Sequence, residues 1–339
     1  MNRQVLARTT TELLSGAKGL LSLDESRVTL ERILRSVGVE PDDRAMGEYR
    51  RLLLATPKLA TCISGVVCTA ETLDEPMAGR PTVTAFLLEQ GILPGVRINS
   101  DALPLGEFAG GDIVHETEAL QDRLRALHGR GIRFAKWLAE LPVSLDDGDG
   151  VLINQTAVVL SLFAQCCQRA GLVPLIHPQL RFDDTLDFDR QRRLLTRMLQ
   201  TLFYVMGHYD VALERLILVT SGLRSPAGRE PVPLHQVAAE TIGCLRRSVP
   251  AAVPGICLAT GGQNTLQATA YLNVLNAWPS QQPWQMSFCF ARALQMPALA
   301  QWAADRDNPE AAQQALLFRA RLACEARQGR YCAMKENIY

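Results

Sequence analysis

Eight short runs rich in β-branched and aliphatic residues recur along the chain, with helical stretches between them, and this alternation restricts the fold more than any other feature. The runs are residues 19–23, 62–67, 95–98, 134–137, 173–176, 216–219, 255–259 and 286–290. Amphipathic helical periodicity fills the intervals, as at 29–37, 117–127 and 154–170, the last stopping at Gly171. Strands alternating with helices imply a parallel sheet, and eight of them suit a closed (β/α)8 TIM barrel. No Ser/Gly/Pro-rich linker, internal repeat or low-complexity tract divides the chain. A single domain over residues 1–339 is expected, with a short C-terminal tail from about 331.

Composition narrows the partners. Of the 339 residues, 47% are hydrophobic and 21% charged, enough apolar material for one large core. A formal net charge of zero gives no electrostatic reason to expect nucleic acid or an anionic membrane as partner. No apolar run approaches the roughly 20 residues of a membrane span, and residues 1–14 lack a signal-peptide pattern. Of the nine cysteines, Cys62, Cys68, Cys257 and Cys289 lie in apolar stretches and Cys166–Cys167 are adjacent, without any CxxC. A reduced, cytoplasmic protein is expected. Lysine occurs only at positions 18, 58, 136 and 335, so few amines are available for imine chemistry.

In a (β/α)8 barrel, catalytic groups sit where the strands end. Read in order, those ends carry Asp24, Glu71, Arg97, Lys136, His177, Thr220–Ser221, Thr260 and Arg292. Burying such a ring is costly unless it is paired or used, and it suits an anionic, polar small molecule. No metal is expected, because the histidines are scattered; His115, His128, His208 and His235 lack partner spacing. Asp146-Asp147-Gly148-Asp149-Gly150 lacks the ligand series of a calcium loop and reads as a solvated turn.

Four motifs carry a family resemblance. Gly16-Ala17-Lys18-Gly19-Leu20-Leu21 leading into Asp24-Glu25-Ser26 resembles the first strand of class I fructose-bisphosphate aldolases, and Phe134-Ala135-Lys136-Trp137 resembles the fourth. Thr260-Gly261-Gly262-Gln263 with Leu272-Asn273-Val274-Leu275-Asn276 resembles the seventh strand and its helix. The segment from Pro283-Trp284 to Arg292-Ala293-Leu294-Gln295 resembles the eighth. The resemblance implies a barrel with an extra N-terminal helical segment, a homotetramer, no cofactor, and aldol cleavage of a ketose bisphosphate through a lysine imine. It implies proton shuttling at Asp24 and charge handling at Lys136. Phosphate would be held by Thr260, Gly261, Gly262 and Arg292, and a second phosphate by the hydroxyls of Ser26 and Thr29. Tyr339 matches the family's terminal tyrosine, on a shorter tail.

Other positions depart from that pattern. Val219 stands where the sixth-strand imine lysine belongs, and no lysine lies between Lys136 and Lys335 to replace it. His177 replaces the fifth-strand acid/base glutamate, Gln179 a second glutamate, Arg97 a third-strand lysine, and Leu138 a phosphate-contacting arginine. Valine cannot form an imine. Lys136 is then either a relocated nucleophile, its amine freed by nearby Arg97, or the partner of Asp24 in a structural ion pair. His177 reads as an acid/base gained or as a hydrogen-bonded structural residue, and Arg97 and Arg292 as anion clamps or surface ion-pair partners. The leading expectation is an aldolase-like lyase of altered mechanism, acting on a phosphorylated keto or aldehyde compound through Asp24, Lys136 and His177. The alternatives are a catalytically inactive phosphosugar-binding or scaffold protein, and an ordinary glycolytic fructose-bisphosphate aldolase.

Overall fold

The computed structural model describes residues 3–99, 113–143, 149–182, 186–226, 230–260 and 263–338. Strands β1 (Gly19–Leu23), β2 (Ile63–Cys68), β3 (Leu93–Arg97), β4 (Phe134–Val143), β5 (Val173–Phe182), β6 (Ile217–Thr220), β7 (Gly255–Leu258) and β8 (Gln285–Phe290) pair in sequence order. All pairings are parallel, and β8 returns to β1 to close the barrel. Around them run α1 (Arg3–Leu13), α2 (Arg27–Ser36), α3 (Asp43–Leu54), α4 (Ala70–Asp74), α5 (Val83–Glu89) and α6 (Ile113–Gly129). The second half carries α7 (Asp149–Ala170), α8 (Phe188–His208), α9 (Leu234–Ser248), α10 (Thr265–Asn276), α11 (Arg292–Ala304) and α12 (Pro309–Arg327).

Side chains alternate across each strand, so the barrel has two cores. Leu218 packs outward among the helices, while Ile217 and Val219 point inward. There they join Leu20, Val67, Phe134, Val173, Leu175, Cys257 and Cys289. Leu6 and Leu13 of α1, with Leu14, belong to this inner cluster, so α1 covers the N-terminal end of the barrel. Phe134 fills the space above them at the expense of its neighbours: a Cβ at Gly95 would lie 2.2 Å from its ring.

The expected strands all form, with ends moved by one or two residues except at β4 and β5. These two run on as a parallel ribbon through Val143 and Phe182. Pro142 and Pro178 argue against strand continuation from sequence alone. They are tolerated because β3 pairs with β4 only at positions 134–136 and β6 with β5 only at 175–176. Among the described residues no strand pairs with Pro142 or Pro178 on the side away from the ribbon partner, so a missing N–H there breaks no described ladder.

One composition-based expectation needs correction. Within α7, Gly150–Ala170 is long and apolar enough to cross a membrane, with a mean hydropathy of 1.5. Its apolar surface has another use: the helix packs on β4 and β5 and between α6 and α8. Ala157, Leu160, Phe163, Ala164, Cys166 and Cys167 are all fully buried there.

Candidate active site

Successive inward positions on β1 place Leu20 in the apolar interior, then Ser22, then Asp24 at the strand's end. On β4 the same alternation stacks Lys136 above Phe134, and on β5 it stacks His177 above Leu175. The sequence thus converts from oil to charge within one step of the strand, at the C-terminal end of the barrel.

Lys136 and Asp24 form the centre of this layer. Lys136 Nζ donates to Asp24 Oδ2 and to Ser22 Oγ, both at 2.9 Å. Ser22 Oγ in turn donates to Asp24 Oδ1, and Arg97 Nη1 donates to the Asp24 carbonyl at 3.1 Å. Both partners of the ion pair are about 6% exposed. Burial disfavours the Asp24 carboxylate, but the charges of Lys136 and Arg97 outweigh it and hold the pKa below the usual carboxylate range. Burial likewise disfavours the Lys136 ammonium, and Asp24 more than compensates, so its pKa is raised. The sequence expectation that Arg97 frees the Lys136 amine is therefore corrected: Arg97 opposes the ammonium, but Asp24 dominates. In the unliganded protein Lys136 is an ammonium.

His177 is 3% exposed, and neither ring nitrogen has a hydrogen-bond partner. Burial, reinforced by the Lys136 charge, holds its pKa well below the usual histidine range, so the imidazole is neutral at pH 7. Of the two sequence readings, a hydrogen-bonded structural histidine does not fit these orphaned atoms. Val219 is fully buried and faces the interior, in register with Cys257 of β7.

Two cavities open above this layer. One, of about 500 Å³, lies over the ends of β1–β3 and is lined by Asp24, Ser26, Arg50, Glu71 and Arg97 among others. The other, of about 900 Å³, brings together Thr29, Gln179, Thr260 and Arg292 with Arg32, Arg181 and Gln263. Lys136 and His177 line neither cavity; Asp24 is the member of the expected catalytic trio that does. Ser26 and Thr29 also serve locally: Ser26 Oγ caps α2 by accepting from the Thr29 N–H at 3.3 Å, and it donates to Thr29 Oγ1 at 3.1 Å. Leu138 also lines neither cavity; its backbone is clamped by Asn99, whose side chain both donates to the Leu138 carbonyl and accepts from its N–H. Gly261, Gly262 and Tyr339 lie outside the described residues, as do 146–148 of the acidic turn; Asp149 and Gly150 begin α7. Among the described residues no three His, Cys, Asp or Glu side chains gather as a metal site would require.

Sequence reading passed over one residue that the structure brings forward. Glu25 lines both cavities. Its Oε1 accepts from Gln295 Nε2 at 2.7 Å, and the same Nε2 donates to the Ser22 carbonyl at 2.7 Å. Burial, aided by the Asp24 charge, raises the Glu25 pKa to about 7. The available signal was its place directly after Asp24 at a strand end, where two neighbouring carboxyls cannot both ionise cheaply.

Comparison with known proteins agrees with the barrel fold. The sequence model of the family described as "Glycolytic: Fructose-bisphosphate aldolase class-I" matches residues 5–338. A probable fructose-bisphosphate aldolase class 1 of Xylella fastidiosa is 33% identical over 323 residues, 95% of this chain and 96% of its own. The chloroplastic fructose-bisphosphate aldolase 2 of Pisum sativum is 34% identical, with 98% and 95% covered, and the cytosolic aldolase 6 of Arabidopsis thaliana is 32% identical, with 93% and 88% covered. Among solved structures, the fructose-bisphosphate aldolase of Plasmodium falciparum superposes with a TM-score of 0.87 at 27% identity, covering 97% of this chain and 96% of that one.

Proposed function

The chain belongs to the class-I fructose-bisphosphate aldolase family, and from that premise we propose that it is a lyase-type barrel binding a fructose bisphosphate or closely related ketose phosphate across its mouth. Full-length similarity to named fructose-bisphosphate aldolases favours a retained substrate class over the changed one expected from the sequence. The observation that carries the reading is the larger cavity, where the hydroxyls of Thr29 and Thr260 face Arg32, Arg181 and Arg292. Hydroxyls and guanidinium forks in one concave site suit a phosphorylated sugar.

The mechanism is where this chain parts from an ordinary family member. Val219 offers no amine, so the lysine amine available near the mouth is Lys136 Nζ, in contact with the cavity-lining Asp24. For Lys136 to capture a ketone, its ammonium must first give a proton to a neighbour, and Asp24 is the acceptor at 2.9 Å. The amine then adds to the carbonyl carbon, and the carbonyl oxygen departs as water with the protons shed by nitrogen. His177, neutral and without a hydrogen-bond partner among the described residues, lies in the same layer and feels the Lys136 charge.

A second reading, a phosphosugar-binding protein without turnover, is favoured by the closed Lys136–Asp24 pair. Trapping separates the two. Incubation with fructose 1,6-bisphosphate or dihydroxyacetone phosphate, followed by borohydride, is expected to add to the Lys136 peptide the mass of a triose phosphate less the oxygen lost as water, and Lys136→Met to abolish it. Tight binding without adduct or cleavage would instead establish the silent binder. With the lyase reading go a homo-oligomeric assembly and a reducing, cytoplasmic compartment. The latter is supported by nine free cysteines, eight of them buried.

A further inference from the structure

Lys136 and His177 sit beneath the mouth and line neither cavity, whereas Glu25 forms part of the wall of both. A ligand that spans from the Thr260–Arg292 cavity to the Asp24 cavity meets Glu25, the lining residue the two share. One carboxyl oxygen is fixed by Gln295, and Gln295 is itself fixed by the Ser22 carbonyl and lies near the Tyr49 hydroxyl, 3.4 Å from its Oε1. The carboxyl is therefore held by β1, α3 and α11 together, with a further hydrogen bond from its own backbone N–H.

We propose that Glu25 is the side chain that exchanges protons with a ligand held in the barrel mouth. As carboxylate it accepts a proton from a ligand hydroxyl or from the carbon beside a carbonyl. As carboxylic acid it returns one to the ligand or to solvent, so the exchange needs no further reactant. This work falls to Glu25 because the alternatives are committed elsewhere: Asp24 holds two hydrogen bonds from Lys136 and Ser22, and His177 is sealed below. The charged and titratable groups around Glu25 are Asp24 at the end of β1, Tyr49 on α3 and Lys136 on β4, with Arg27, Arg50, Arg97, Arg123, Asp43, Glu71 and Glu75 in one cavity and Arg32, Arg181, Arg224, Arg292 and Glu140 in the other. Burial and the Asp24 charge favour the protonated form, while hydrogen bonds from the Glu25 backbone N–H and Gln295 and the Lys136 charge favour the carboxylate, and the balance raises the pKa to about 7.

The inference rests on the phosphosugar reading above, and the experiment tells the two apart. Binding of dihydroxyacetone phosphate is measured by calorimetry from pH 6 to 8.5 in buffers of different ionisation enthalpy, alongside deuterium exchange into its carbon-bound protons in heavy water. In the wild type, proton uptake on binding should pass through a midpoint near 7. Glu25→Gln, nearly isosteric and able to keep the Gln295 bond, should lose that uptake and bind roughly three- to tenfold more tightly than wild type at pH 8. Its exchange rate should fall about 100-fold, with partial rescue in Glu25→Asp. An unchanged pH profile and exchange rate in Glu25→Gln would overturn the role of Glu25 while leaving the binding site standing. Proton uptake that depends on Glu25, without exchange in the wild type, would support Glu25 and overturn the lyase reading. No binding by the wild type would overturn both.

Discussion

The ion pair between Lys136 and Asp24 illustrates how strongly one buried charge depends on another. Removing the acid by Asp24→Asn leaves an ammonium about 6% exposed with one fewer anionic partner. A loss of about 3–5 kcal/mol is expected, measurable as a fall in the denaturant midpoint at pH 7. The double variant Asp24→Asn with Lys136→Met should recover a large part of that loss, since the uncompensated charge is then gone. A double-mutant cycle checks this directly. Val219 presents the opposite case. Its place in the interior makes it a sound packing residue and a chemical void at once, and this was legible in the sequence because strand alternation fixes which way a residue faces. The burial of His177 was not legible, because it depends on how far Lys136 and Asp24 draw together across the barrel.

At the level of elements, the floor of the barrel is specified by size matching. Gly95 on β3 exists to admit the Phe134 ring of β4, which would meet an added Cβ at 2.2 Å. Gly95→Ala is expected to cost about 1–3 kcal/mol through overpacking, seen as a lowered unfolding midpoint without loss of secondary structure in far-UV circular dichroism. The eight strands were readable because each is a short apolar run between helical segments. The ribbon formed by the second halves of β4 and β5 was not, because Pro142 and Pro178 are tolerated where, among the described residues, no further strand pairs on the outer edges. That absence is a property of the assembled sheet. For the same reason α7 reads like a membrane-spanning segment until β4 and β5 are seen to cover it.

At the level of the whole molecule, three perturbed groups in one layer shape the pH dependence of stability. Glu25 binds its proton more tightly folded than unfolded, so its contribution declines as pH rises from the ordinary carboxyl range through about 7. His177 does the reverse: unfolding lets it take up a proton, so the fold weakens as pH falls below about 6.5. Asp24 adds stability that is lost only in stronger acid, below about pH 4. Between pH 5 and 6.5 the first two oppose each other, and the wild-type unfolding midpoint should be nearly flat. In Glu25→Gln the histidine slope should emerge, with stability rising toward neutral pH by up to about 1.4 kcal/mol per unit, followed by denaturation at several pH values.

The helix that precedes the first strand has an implication for traffic. With Leu6, Leu13 and Leu14 lodged against the interior, the barrel is a cul-de-sac and not a tunnel. Whatever comes in must go out by the same doorway. Two ligands that contend for this vestibule therefore exclude each other, since neither has a second way in.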